Sequence, residues 1–306
     1  MALTHWRSRV AAYDATPTSK ETLPPIRPSA AIQALYQKRL DALIDEMHRS
    51  ILWWVQAAYR AAEPEDLLAE DAAPVDNKMK TISQQLRKSI EKEGGPAKVL
   101  LGVMRQLGRH WQRKFDEGSQ ELADYFATAA SKRVDATLTA ILRKAGISVR
   151  LKLTAAERTV MQATTAENAK LITNIASEHL AAVQGAVMRS VAAGRDIGTL
   201  RKELIHRHGI TKKRAAFIAR QENNKATAML TRVRQDELGI HEAKWVHSRA
   251  GKEPRQSHVS FANGKDGGPY YDIRTGALID GENIFPGELF NCRCVSRSVL
   301  PALGRR

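Results

Sequence analysis

The sequence predicts an α+β protein, mostly α-helical, with long helices to about residue 238 and a small β-containing module after them. Three observations carry this. Apolar residues recur at three- to four-residue spacing through most of the chain up to Gly239. Gly, Pro, Asn and Asp become frequent after Gly239. There, short runs such as Ala243 to His247, Tyr270 to Ile273 and Cys292 to Val299 read as strands between turns.

Taken in order, residues 1–28 read as an extended tail, because Pro17, Pro24, Pro25 and Pro28 oppose a helix. Ser29 is a suitable N-cap for a helix from Ala30 to Ala62, with Ile32, Leu35, Leu43, Met47, Ile51, Trp54 and Ala58 as its apolar stripe. Trp53 and Trp54 are adjacent and point to different faces, toward this chain's core or another subunit. Glu63-Pro64 ends the helix. Helices follow over 77–92 and 97–116, parted by Gly94-Gly95-Pro96, and then over 119–145. The alternation in Ile147 to Leu153 suggests a short strand or extended link, which closes a helical region spanning 29–153. Thr154-Ala155-Ala156-Glu157 is a capping-box pattern and opens a helix to about Ala193. On that helix His179 shares a face with Leu171, Ile175, Ala182 and Ala186 and reads as a packed histidine. Gly194 to Gly198 reads as a turn. A short helix to His206, a stop at Gly209 and a Thr211-capped helix over 212–238 complete the helical part. A second region therefore runs from 154 to 306, helical over 154–238 and β-rich over 240–299.

The chain has 306 residues, a net charge of +15 and two cysteines. Two cysteines in this length argue against a disulfide scaffold and for assembly in a reducing compartment. No apolar run is long enough to cross a membrane, and the N-terminus lacks the apolar block of a secretory leader. The positive excess suggests a polyanion partner, nucleic acid or an acidic protein surface, against the alternative of an inert basic surface. It concentrates on helices: Lys78 to Lys114 holds ten Lys or Arg against two acids, and Arg195 to Arg234 eleven against three.

The chemistry-bearing residues crowd near the C-terminus. Cys292 and Cys294 are one residue apart, so in a strand both sulfurs would face one side. With His247 and His258 they could make a two-sulfur, two-nitrogen zinc site, although the spacing is not a standard finger. Two buried thiols acting as small apolar residues is the other reading. A Cys292 or Cys294 nucleophile paired with His258, as in a zinc- or cysteine-dependent hydrolase, is a third, for which no surrounding signature exists. Asp266, Asp272 and Asp280 could hold a metal with His258, but their Gly-rich setting favours a role as turn residues. In the basic helix, Lys212, Lys213, Arg220 and Arg234 are candidate phosphate contacts. A helix–turn–helix pairing Leu200 to His206 with that helix can be drawn. No Walker loop, dinucleotide-binding glycine pattern or nucleophile elbow is present.

An ordered series of motifs resembles the phage Mu F-like family of head morphogenesis proteins. It begins with Arg214-Ala215-Ala216-Phe217-Ile218-Ala219-Arg220. It continues through Lys244-Trp245, His247-Ser248, Pro254 to His258, Asn263-Gly264-Lys265 and Pro286-Gly287-Glu288, and closes on Asn291-Cys292-Arg293-Cys294. The resemblance covers about Thr154 to Val299 and leaves the N-terminal half unmatched. It implies a minor structural protein of the virion, present in the host cytoplasm during assembly. Its implied partners are the portal protein, then scaffold or major capsid protein, and double-stranded DNA bound non-specifically. It implies no enzyme and no cofactor beyond the zinc already raised. Arg214, Arg220, Trp245, Arg255, His258, Asn291, Cys292 and Cys294 are the motif residues it marks.

Overall fold

The structure is a computed structural model that describes residues 21–62, 77–93, 95–194, 196–249, 253–263 and 268–300. It is mostly helical, with short antiparallel strands at the C-terminal end. The helices are α1 (Ala30–Ala62), α2 (Asn77–Glu93), α3 (Pro96–Lys144), α4 (Ala155–Ala192), α5 (Ile197–Glu237) and the short α6 (Gln256–Phe261). The strands are β1 (Glu242–Val246), β2 (Tyr270–Asp272), β3 (Ala277–Ile279), β4 (Glu282–Ile284) and β5 (Val295–Val299).

Two expected breaks do not occur. The helices expected over 97–116 and 119–145 are one helix of 49 residues. The turn at Gly209 is likewise absorbed into the 41-residue α5. Gly118 and Gly209 each stand in open space, and a lone glycine costs a helix only about 1 kcal/mol against alanine. Buried neighbours such as Phe115, Leu122, Leu204 and Ala215 outweigh that. The helix–turn–helix is therefore excluded. Thr211 caps nothing; its hydroxyl donates to the Arg207 carbonyl one turn back.

The stripe of α1 is rotated by about one residue from the expected one. Tyr36, Leu40, Ile44 and Val55 are buried beside Met47, Ile51 and Ala58, while Leu35 is exposed. The Tyr36 phenol explains part of this, because burial gives it a partner in the Asn168 side chain, 2.9 Å away.

The described residues fall into two compact units. One comprises Tyr36–Leu122 and Asn168–Ile218, the other Met1–Leu35, Ala123–Glu167 and Ala219–Arg306. The first is helical. Within it His48 stacks on His208 at 4.1 Å between centroids, and His208 and Lys212 both bond Asp45. His179 is the packed histidine expected of it: it is buried and 2.8 Å from the Thr211 hydroxyl.

The second unit holds the sheet and is pinned by Arg234. Its guanidinium is 1% exposed and bonds Asp135 through two nitrogens at 2.7 Å, Glu237 at 2.8 Å, the Lys152 carbonyl at 2.9 Å, and Glu157. Thr154 caps α4 as expected, accepting from Glu157 N–H at 3.2 Å. The other half of the capping box is absent, because the Glu157 carboxylate serves Arg234 and the Ser131 hydroxyl instead.

The strands form a three-stranded antiparallel sheet in the order β2-β1-β5 and a separate β3-β4 hairpin. The inward residues of β1, Ala243 and Trp245, enter a core with Tyr271, Ile273, Ala277, Ile279, Ile284, Cys292 and Cys294. The β3-β4 turn is Asp280-Gly281 with φ of 56° and 81°, the two-residue turn that Asp-Gly favours. Residues 1–20 of the expected tail lie outside the described residues. Residues 21–23 add to the edge of β5, with Leu23 N–H donating to Ser298 O at 2.8 Å and Leu300 N–H to Glu21 O at 2.9 Å. Leu23 and Ile26 are buried. The stretch Ile147 to Leu153 forms no strand.

Candidate metal centre in the C-terminal module

His258 lies on α6 and is 3% exposed, with Trp245 of β1 packed edge-on against its ring at 5.2 Å. Cys292 and Cys294 are not in a strand as expected; β5 begins at Val295, and both lie between it and the turn that ends at Asn291. Cys292 N–H closes that turn on Leu289 O at 2.9 Å. Asn291 before it takes a left-handed φ of 59°, which asparagine tolerates, and its N–H donates to Gln221 Oε1 at 2.6 Å. Gly287 has φ of 82°, and a Cβ there would meet Ala228 Cβ at 2.9 Å. This folding of the turn, rather than strand alternation, brings both sulfurs to one place.

The result is a compact ligand set. His258 Nδ1 stands 3.6 Å from the Cys292 sulfur and 3.7 Å from the Cys294 sulfur, and the three atoms all lie within 4.8 Å of one another. Both cysteines are reduced and buried. The hydrogen bond from the Cys294 thiol lowers the Cys292 pKa to about 5 against the opposing effect of burial, helped by Cys294 and Gly287 N–H groups and by His258. The same bond pushes the Cys294 thiol up, followed by burial and the Cys292 charge.

A cleft of about 220 Å³ opens on this cluster, lined also by His247, Glu253, Arg255, Phe290 and Arg293. His247 faces the cleft but is outside the tight group of three. Its Nδ1 accepts from Arg249 N–H at 3.1 Å, and burial, with His258 and Arg249, keeps its pKa below the usual value against the pull of Cys292. Arg255 ties the cleft wall by donating to Phe290 O at 3.0 Å.

The other sequence candidates part ways. Arg234 is no phosphate contact, because its charge is buried among three carboxylates. Lys212 is held by Asp45 at 3.1 Å, and Arg214 by Glu178 at 2.7 Å. Lys213 is exposed. Arg220 is half-buried; burial and neighbouring Arg293 lower its pKa. Asp272 is the last residue of β2 rather than a turn residue; its carboxylate accepts from the Arg274 side chain and backbone, holding its pKa at about 2. Asp266 lies outside the described residues. Sequence reading missed Gln221 and Asn224, which bond the cysteine turn from α5 at Leu289 O, Asn291 N and Cys292 O. Two amide side chains three apart on a helix leading into a Cys-x-Cys were the available signal.

Residues 181–297, which contain α5 and the whole cluster, match the family described as Phage Mu protein F like protein. Over this stretch the chain is similar to that family. It is also 38% identical over 143 residues to an uncharacterized protein of Haemophilus influenzae (strain Rd). That alignment covers 46% of this chain and 29% of the relative, so the chain spans less than a third of the relative's length. No solved structure matches.

Proposed function

We propose that the chain is a minor structural protein of a tailed-phage or prophage head that binds the portal, acts in head assembly and lies against packaged DNA. The supporting observation is the coincidence of the family match with a module whose buried residues are spent on its own packing. The portal, with scaffold or major capsid protein as further neighbours, is then met by the long helices. No described helix is long and apolar enough to cross a membrane.

The DNA contact is supported by α3, where Arg105, Arg109 and Arg113 are exposed and share a face at helical spacing. Lys98 extends the stripe while reaching Glu93 at 3.5 Å. Such a row meets phosphates without reading bases. Two measurements test the proposal. Cross-linking within purified particles should join this chain to the portal protein; cross-links confined to the shell lattice, far from the portal vertex, would refute portal binding. Replacing Arg105, Arg109 and Arg113 by Gln should flatten the logarithmic salt dependence of DNA binding by about 3 units. An unchanged slope would remove the stripe from DNA contact.

A further inference from the structure

We infer that the reduced protein binds one zinc ion, held by His258 Nδ1 and the Cys292 and Cys294 sulfurs, with His247 supplying the fourth ligand. This stands independently of any role in a phage head.

Geometry is the first support. Zinc–sulfur bonds of about 2.3 Å and zinc–nitrogen bonds of about 2.0–2.1 Å, set at the tetrahedral angle, place nitrogen and sulfur about 3.5–3.6 Å apart. The His258 nitrogen is 3.6 and 3.7 Å from the two sulfurs, so two edges of the tetrahedron are already present. Donor chemistry is the second. Two thiolates and imidazole nitrogen select zinc over the hard cations that prefer oxygen.

The surroundings are the third. Cys292 sulfur accepts the Gly287 N–H at 3.4 Å and is also approached by the Cys294 N–H. The Ser248 N–H and the Trp245 indole are directed at the Cys294 sulfur. Trp245 Nε1 has no regular hydrogen-bond acceptor within the described residues, so a fully charged sulfur would give it one. Donors trained on both sulfurs are the outer shell that metal-bound thiolates require.

His247 completes the set. Its Nδ1 is taken by the Arg249 N–H, which leaves Nε2 as the ligating atom, and it shares the cleft wall with the other three. Glu253 is on the same wall but offers a hard oxygen from an exposed side chain. With His247 the ion would join the end of β1, α6 and the turn before β5. Metal affinity there becomes stability of the module.

The test uses the whole chain, purified under reducing conditions without added metal. Elemental analysis should find one zinc per chain. Exchange with cobalt should give sulfur-to-cobalt charge transfer and the intense visible bands of tetrahedral cobalt. Chelation should lower the melting temperature and added zinc restore it, a readout that stands even where Cys294→Ser fails to fold. His247→Ala should weaken zinc by about a hundredfold or more, since even an outer-shell partner is worth about 10–100-fold. Glu253→Ala should leave affinity unchanged. A folded protein with two titratable thiols that takes up neither zinc nor cobalt would overturn the inference, as would a Cys292–Cys294 disulfide in the protein as made. Wild-type affinity in His247→Ala would overturn the four-ligand assignment.

Discussion

Replacing Arg234 by methionine should unlock the second unit. The guanidinium is 1% exposed and faces side chains of very unequal exposure: Asp135 at 28%, Glu237 at 19% and Glu157 at 2%. Removing one partner of a buried pair costs about 3–5 kcal/mol, because the remaining charge is stranded. Asp135 and Glu237 reach water and can rehydrate; Glu157 cannot, and keeps only the Ser131 hydroxyl at 2.5 Å. The Lys152 carbonyl also loses its donor. The lower end of the range, about 3 kcal/mol, is therefore expected. With a urea slope of about 3 kcal/mol per molar, the midpoint should fall by about 1 M, followed by near-ultraviolet circular dichroism. Adding Glu157→Gln should recover about 1–2 kcal/mol, since a neutral amide is cheaper to bury than a carboxylate. Arg234→Met within about 1 kcal/mol of wild type would refute the reasoning, because a stranded buried charge should cost about 3 kcal/mol or more.

Three further outcomes are expected. His48 and His179 have pKa values lowered to about 4, chiefly by burial and then by neighbouring histidine charge. Their folded pKa lies below the unfolded value near 6.5, so the unfolded chain takes up protons first and stability falls as pH drops from about 6.5 to 4. Asp45, held below the usual range by Lys212 and His208 despite burial, adds to the loss on acidification, and raised Asp41 opposes it. His48→Phe with His179→Leu should flatten the melting temperature between pH 7 and 4.5; an unchanged slope would exclude these histidines. Gly287→Ala should cost about 2–3 kcal/mol, from positive φ plus the approach to Ala228, whereas Gly118→Ala should gain about 0.5–1 kcal/mol. Equal signs in thermal melts would mean that Gly118 marks a real break.

Much of the fold was legible because helix ends obey local chemistry. Ser29, the Thr154 cap and Gly239, whose φ is 71°, stop or start helices where they were expected. Interior glycines misled, since nothing local distinguishes a glycine that ends a helix from one that packing carries through. Gly194 follows its helix with a φ of 96°, whereas Gly118 and Gly209 stay inside theirs. The one-residue rotation of α1 has a similar origin: Leu35 is apolar enough to bury, but Tyr36 has a distant acceptor in Asn168. The β3-β4 hairpin carried its own sign in Asp280-Gly281, whereas α6 is too short for its period to register.

The ligand cluster shows where local reading stops. Residue types alone named His258, Cys292 and Cys294, but the expected strand did not bring them together. The turn that does so is built on α5. Gln221 and Asn224 bond its carbonyls and amides, Ala228 sits beneath Gly287, Arg232 lies over the Phe285 ring at 3.8 Å, and Gln235 bonds Ser298 at 2.7 Å. The sheet is therefore not a self-contained finger. Its signature must include a helix face, which accounts for a family match that begins on α4 and runs through α5 rather than starting at Gly239. A fragment beginning at residue 240 loses these bonds and exposes the apolar underside of the turn, so it should remain unfolded even with zinc. Restoring residues 219–239 should return α5's half of the contacts and, with them, dispersed amide resonances. A folded 240–306 fragment would show that the metal ligands and the small core suffice, and that α5 only accompanies them.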